Sequence, residues 1–275
     1  MTVPVRPVLK WAGGKSRSLR EILAALPERI GTYYEPFIGG AAVFFALATE
    51  RRFKKAVLSD RNAALIEVYT GLQKDPESII KILKTYRYDR DEYYRIRALD
   101  PAALDPAECA ARTIFLNKTG YNGLYRVNSR GEFNVPFGRY KKPNFCDEDN
   151  LRLASKALAG VRILVADFEK ASDRAKAGDA VYFDPPYDPV SKTSNFTSYH
   201  KDEFGHAEHE RLKSAFTRLA GRGVSVVLSN SHTAFTWRLF SEWSRRKIDV
   251  SRPINSKASH RGTVEELLVW SAPRK

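Results

Sequence analysis

The chain has 275 residues, 43% of them hydrophobic, which is enough for a sizeable core in one large α/β domain or one domain with a substantial insertion. Lys and Arg number 46 against 32 Asp and Glu, and the net charge of +14 points to a polyanionic partner, nucleic acid foremost. Cys109 and Cys146 form no CxxC pair, no apolar run approaches the roughly 20 residues that span a bilayer, and no apolar segment follows a basic start at the N-terminus, so a metal-thiolate site, a membrane span and a signal peptide are not expected, and a cytoplasmic protein is.

Lys10-Trp11-Ala12-Gly13-Gly14-Lys15-Ser16 comes first. It superficially suggests a phosphate loop, but that pattern needs glycine at position 9, where Leu9 stands. The glycines let the backbone approach a ligand closely, and Trp11 and Lys15 add an aromatic face and a cation. A turn leading into an amphipathic helix, Ser16 to Leu26, accounts for the glycines but not for the Trp and Lys. Next, Tyr33-Tyr34-Glu35 reads as a strand ending in an acidic residue. Pro36-Phe37-Ile38-Gly39-Gly40 then turns into a helix from Ala41 to Ala48, the strand-turn-helix arrangement that nucleotide cofactors use. A second strand, Lys55 to Ser59, ends at Asp60, twenty-one residues after Gly39, where an acidic side chain can meet a ribose hydroxyl. With the full G-x-G-x-x-G absent, an adenosyl group fits better than a dinucleotide. Asp60 also suits the N-cap of a helix over Asn62 to Gln73.

From Glu67 to Lys118 the apolar spacing is helical, as in Ile79, Ile80, Ile82 and Leu83, which reads as an inserted helical subdomain. The expected division is a catalytic domain of residues 1–62 and 160–275 and a recognition subdomain of residues 63–159. Within the insertion, alternating apolar positions on both sides of Ser129-Arg130-Gly131 predict a β-hairpin over 121–137. Six cations, Arg126, Arg130 and Arg139 among them, interleave with aromatics between Asn117 and Lys142, as suits a DNA groove. A helix from Asp147 to Ala159 and a strand from Val161 to Ala166, ending at Asp167-Phe168, complete this part.

The apolar run Ala180 to Phe183 predicts a short buried strand that stops at Asp184-Pro185-Pro186-Tyr187, because proline cannot continue a ladder. A Pro-rich turn alone would look the same. Chemistry favours more: the lone pair of an exocyclic amino group on adenine or cytosine is delocalised into the ring, and freeing it requires acceptors for both N–H groups. Asp184 offers one, and the Pro185 carbonyl, held by a fixed φ, offers the other. Tyr187 adds a face for a base. The polar stretch Ser191 to His200, with Asn195, is expected to form a lid. Gly205 to Glu210 carries two histidines but lacks the HExxH metal spacing and begins an amphipathic helix. Val224 to Ser229 and Glu265 to Trp270 read as further core strands, with a basic stretch, Arg252 to Thr263, between them.

The Asp-Pro-Pro-Tyr tetrapeptide resembles the signature of the amino-group methyltransferases, N6-adenine and N4-cytosine, that use S-adenosylmethionine (SAM). Segments 9–20, 33–47, 117–143 and 181–200, in content and order, resemble the DNA adenine methyltransferase (Dam-type) family. The resemblance implies a Rossmann-like α/β fold with a mostly parallel sheet, SAM as cofactor, double-stranded DNA as substrate with GATC as its site, and a monomer. It places Trp11, Gly13, Lys15, Glu35, Phe37, Gly39, Asp60, Asp167, Phe168 and Asp184 around the cofactor, Asp167 and Phe168 flanking its adenine. Lys10, Tyr121, Asn122, Leu124, Arg126, Arg139 and Asn195 fall on the DNA side. One departure is Ala41, where family members often have glycine. An N4-cytosine enzyme and a DNA-binding relative without catalysis remain the rivals. The first more often has serine at the position of Asp184, and the second would show erosion at Asp184, Tyr187 or Lys15.

Overall fold

A computed structural model of the protein describes residues 3–189, 204–251 and 263–271. In chain order the elements are α1 (Leu19–Ala25), β1 (Ile30–Glu35), α2 (Ala42–Thr49), β2 (Phe53–Asp60), α3 (Ala63–Lys74), α4 (Pro76–Thr85), α5 (Arg90–Ala98) and α6 (Pro106–Thr119). They continue with α7 (Glu148–Leu158), β3 (Arg162–Val165), α8 (Phe168–Ser172), β4 (Ala180–Phe183), α9 (His206–Gly221), β5 (Ser225–Ser231), α10 (Ala234–Leu239), β6 (Ser244–Ser251) and β7 (Thr263–Trp270). By contacts the chain forms two units. One holds Met1–Gly14, Ile38–Glu50 and Ser59–Val165; the other holds Lys15–Phe37, Arg51–Leu58 and Ala166–Lys275.

The second unit is built on a sheet whose strands bond in the order β2-β1-β4-β5-β7-β6. The β2-β1, β1-β4 and β4-β5 pairs are parallel, and β7 runs antiparallel between β5 and β6. This is the doubly wound α/β order with one strand inserted near its edge, so the Rossmann-like expectation holds. All four residues of β4 are buried, as a central parallel strand requires. Period-two alternation sorts the faces. Val181 and Phe183 of β4, Val226 and Leu228 of β5 and Leu267 and Val269 of β7 share one core with Leu212, Ala215, Phe216 and Leu219, the buried stripe of α9. The sequence-predicted strands at 224–229 and 265–270 extend by a residue or two, and β6, with Arg245-Arg246-Lys247, was not predicted.

The first unit is helical. The predicted helical stretch resolves into α3 to α6, each N-capped by a side chain: Asn62, Asp75, Asp89 and Asp105. The cap of α3 is therefore Asn62 and not Asp60. Asp105 and Glu108 close a capping box around Pro106 at the first turn of α6. This helix is buried along most of its length, from Ala110 to Thr119. On α7, Leu151, Ala154 and Leu158 line the buried face, and Gln73 donates to the Leu158 and Val161 carbonyls at 2.6 and 2.8 Å, closing the helix end.

Between α6 and α7 the expected β-hairpin is instead an irregular antiparallel ribbon. Only two isolated bridges, Gly120↔Phe137 and Val127↔Phe133, form among the described residues. Three causes can be named. Tyr121–Gly123 makes a 3-10 turn, Pro136 lacks a donor, and Asn128 Oδ1 draws the Arg130 and Glu132 amides at 3.0 Å into the tip. The predicted turn is in place: Gly131 N donates to Asn128 O with Gly131 at φ 79°.

Candidate active site

In the second unit, β2 lies on one side of β1 and β4 on the other, so the order of strand addition reverses between β1 and β4, and in such sheets ligands bind outside the carboxyl ends of the strands at that point. Glu35 ends β1 and Asp184 follows β4. Glu35 is 2% exposed and accepts a hydrogen bond from the Tyr33 hydroxyl at 2.8 Å, so it is built into the strand floor. Asp184 is paired with Lys15 (Nζ–Oδ1 2.7 Å), whose side chain is 4% exposed against 21% for Asp184. Ser229 Oγ donates to the same Oδ1 at 3.0 Å. Both bonds land on Oδ1, and among the described residues no donor meets Oδ2 or the Pro185 carbonyl. Burial raises the Asp184 carboxyl above the ordinary range, while Lys15 and the Ser229 hydroxyl pull it down.

Tyr187 is held at its far end by Glu266, whose Oε2 accepts its hydroxyl at 3.1 Å. Lys15 Nζ lies 4.8 Å from the ring centroid. Behind it, Asp188 is buried and anchors the loop: its N–H donates to Asn230 Oδ1 at 3.1 Å, its carbonyl accepts from Ser231 Oγ, and its carboxylate takes Thr233 Oγ1 at 2.6 Å and His206 Nε2 at 3.2 Å. Sequence reading missed Ser229, Asn230 and Glu266. The visible signal was the polar run Ser229-Asn230-Ser231 directly after Val226-Val227-Leu228, at the strand end where ligands gather. His206 faces Asp188 and His209 bonds the Gly205 carbonyl; no cluster of three metal-ligating side chains occurs among the described residues.

The two residues expected beside the cofactor's adenine are tied to their neighbours. Phe168 is 1% exposed, stacked on Phe37 at 5.5 Å, with the Arg211 guanidinium 4.4 Å from its ring. Asp167 caps α8 through Glu169 N at 3.0 Å and pairs with Arg211.

The first unit carries the glycine turn and the DNA-side residues. Trp11 to Gly14 is a tight turn, Gly14 N bonding Trp11 O at 3.1 Å, with Gly13 at φ 77° where only glycine is unstrained. At Gly39 (φ 44°) an added Cβ would sit 2.8 Å from Trp11 Cδ1, so the glycine admits the indole. Asp60 Oδ2 takes Gly39 N at 3.4 Å and Oδ1 takes Asn62 N at 3.0 Å, while Tyr69 OH holds the Gly39 carbonyl at 2.8 Å. Burial raises the Asp60 carboxyl, against the backbone amides that lower it. Each carboxylate oxygen has two acceptor positions, so this set fits a diol such as ribose.

Along the ribbon, Tyr121 and Leu124 are 49% and 40% exposed, Asn122 is exposed with φ 54°, and Arg126 and Arg139 are exposed. Tyr121 is therefore no core aromatic. Arg126 Nε donates to Asn134 Oδ1 at 2.7 Å. Asn195, with the expected lid, lies outside the described residues, as does most of the basic stretch after Arg252. No helix among the described residues is long and apolar enough to cross a membrane.

Fold and site define a doubly wound α/β enzyme with a partly exposed carboxylate, Asp184, at the end of a central strand. Compared with known proteins, residues 11–254 match the family model of the D12 class N6 adenine-specific DNA methyltransferases. The chain is 41% identical to type II methyltransferase M.MjaIII of Methanocaldococcus jannaschii, over 97% of this chain and 99% of that one. It is 40% identical to type II methyltransferase M1.LlaDCHI of Lactococcus lactis subsp. cremoris, over 97% and 95%. With the DNA adenine methylase of Escherichia coli K12 it shares 35%, over 98% and 96%. The chain belongs to the D12 class N6 adenine-specific DNA methyltransferase family.

Proposed function

We propose that the protein transfers a methyl group from SAM to the N6 nitrogen of adenine in double-stranded DNA, at GATC. The observation that carries the reading is Asp184 at the end of β4, its Oδ1 held by Lys15 and Ser229 and its Oδ2 met by no donor among the described residues, next to the Pro185 carbonyl, which likewise accepts nothing there. Two acceptors that take the two N6 hydrogens draw the nitrogen out of conjugation and leave its lone pair pointing away from the ring. They stand in place before the reaction, so no reorganisation is needed as charge develops. SAM, when bound, supplies a methyl group already activated on a sulfonium. In the first unit, Asp60, Gly39, Trp11 and Gly13 are the residues that would hold it, Asp60 taking the ribose hydroxyls. The adenine must leave the helix to be reached, at a cost of a few kcal/mol. Tyr187, its ring fixed by Glu266 and Lys15, gives the extruded base a face to stack on.

The GATC site rests on the Dam-type resemblance of the 117–143 segment, and residues 63–159 are read as the recognition part. The test is purified protein with labelled SAM and duplexes containing or lacking GATC, followed by digestion to nucleosides. Label in N6-methyladenine, dependent on GATC and lost in Asp184→Asn, is the expected result. N4-methylcytosine as product would overturn the assignment of the base, and equal labelling of both duplexes would overturn the site.

A further inference from the structure

Asn117, near the end of α6, belongs to neither the core nor any surface named above. It is fully buried, yet both its side-chain polar atoms are spent on backbone outside its own helix. Its Oδ1 accepts the Lys10 N–H at 2.8 Å, and its Nδ2 donates to the Lys10 carbonyl at 2.8 Å and to the Gly123 carbonyl at 3.2 Å. One amide thus ties residue 10 to the Tyr121–Gly123 turn. Gly123 completes the fit: at φ 62° it lies so close to the Lys10 stem that an added Cβ would come within 2.4 Å of Cδ and 2.7 Å of Cβ. Further out, Lys10 Nζ rests 4.1 Å from the centre of the Tyr140 ring, and that ring is fixed by its hydroxyl on the Gly120 carbonyl at 3.1 Å. Lys10 is therefore held at backbone, stem and head. A long, mobile lysine side chain loses rotamer freedom of about 1.5–2 kcal/mol when it is fixed, and a contact made from a pre-fixed cation does not pay that again on binding.

We propose that Asn117 is a positioning residue for base reading, holding Lys10 against the Tyr121–Gly123 turn so that cation and turn meet DNA as one rigid element. The inference rests on the reading of Lys10 as a base-contacting residue, and the experiment separates the two. Methylation rate (kcat/KM) is measured on a panel of duplexes, each with one base pair of the target site replaced, for the wild type, Lys10→Ala, Asn117→Ala, Gly123→Ala and the doubles with Lys10→Ala. Lys10→Ala should lower discrimination at one base pair about ten- to hundred-fold. Asn117→Ala and Gly123→Ala should lower it at the same pair by a similar factor, and neither double should lose more than Lys10→Ala alone. If Asn117→Ala does not fold, Gly123→Ala, which displaces the same stem from the other side and leaves Asn117 in place, decides. Loss at other pairs, an equal fall on every duplex, or additive losses in the doubles would overturn the role of Asn117 while leaving the reading of Lys10 intact. No change of discrimination in Lys10→Ala would remove the reading itself, and the inference with it.

Discussion

At Asp184, one carboxylate oxygen is spent on a buried cation, and the proposed reaction uses the other. Replacing the carboxylate therefore also acts on stability, because Asp184→Asn removes the Asp184 charge from beside a Lys15 side chain that is 4% exposed. Breaking a buried pair costs ~3–5 kcal/mol, and the partial exposure of Asp184 puts this one toward ~3 kcal/mol. The double variant Lys15→Met/Asp184→Asn should recover most of that loss, read as the denaturation midpoint; equal destabilisation in single and double variants would show that the pair is not coupled. Lys15 also lowers the raised Asp184 carboxyl, so Lys15→Met should move the acid limb of kcat/KM to higher pH, since the ionised form is the one that accepts an N6 proton. The stability sign is the reverse. A carboxyl raised in the folded state binds its proton more tightly there, so its contribution is complete below the unfolded value and is lost as pH rises through the folded one. Ala41 shows a second residue-scale balance. It enters α2 at φ 56° and is 1% exposed. Ala41→Gly relieves ~1–2 kcal/mol of left-handed strain but loses ~0.8 kcal/mol of methyl burial and ~0.4–1 kcal/mol through the freer unfolded chain. The melting temperature should move by less than about 4 °C. Ala41→Val adds a branched side chain to a conformation it rejects, and should cost at least ~2 kcal/mol.

The ribbon between α6 and α7 shows how far an element can be read from its residues. Its apolar alternation and its Asn128-to-Gly131 turn were legible, because both depend on neighbours. That it would not form regular strands depends on Tyr121–Gly123 coiling into a turn and on Tyr93 and Arg97 of α5 taking the Val135 carbonyl at 2.9 and 3.3 Å, contacts some forty residues away. Asn117 was invisible for the same reason, its partner Lys10 being 107 positions distant. The strand β6 was missed because Arg245-Arg246-Lys247 breaks the alternation that an edge strand has no need to keep. In the proposed reading the ribbon meets DNA. Arg126 spends Nε on Asn134 and leans a second nitrogen on the Asn134 carbonyl at 3.4 Å, so the side chain is held in one orientation. Arg126→Ala should cost about 1–3 kcal/mol of discrimination at one guanine, measured as the ratio of kcat/KM on cognate and substituted duplexes. Arg126→Lys should recover little of it, because a point cation cannot reproduce the fork. A uniform loss on all sequences would make Arg126 a phosphate contact.

For the whole molecule, the doubly wound sheet was legible at β1 and β4, where a short run closes on a carboxylate, Glu35 as the last residue of β1 and Asp184 just after β4. What could not be read was which unit each segment joins, since α2 and Asp60 group with the helical insertion through contacts no local pattern encodes. Net charge is the property that survives any such regrouping. With +14 overall and six cations between Asn117 and Lys142, DNA affinity should be dominated by displaced counterions. Between about 50 and 200 mM salt it should fall by some three to five orders of magnitude if six to ten phosphates are met. Lys141 and Lys142 are exposed and lie just past the residues read as touching bases. Replacing either with alanine should weaken binding to all duplexes alike and make the logarithmic salt dependence shallower by about one unit, with the preferred site unchanged. That outcome distinguishes phosphate cations from base-reading ones on the same ribbon, for Arg126→Ala should change the preference and leave most of the slope. A flat salt response in the wild type would contradict the electrostatic account, and a changed site preference in Lys141→Ala or Lys142→Ala would place those lysines among the base-reading residues.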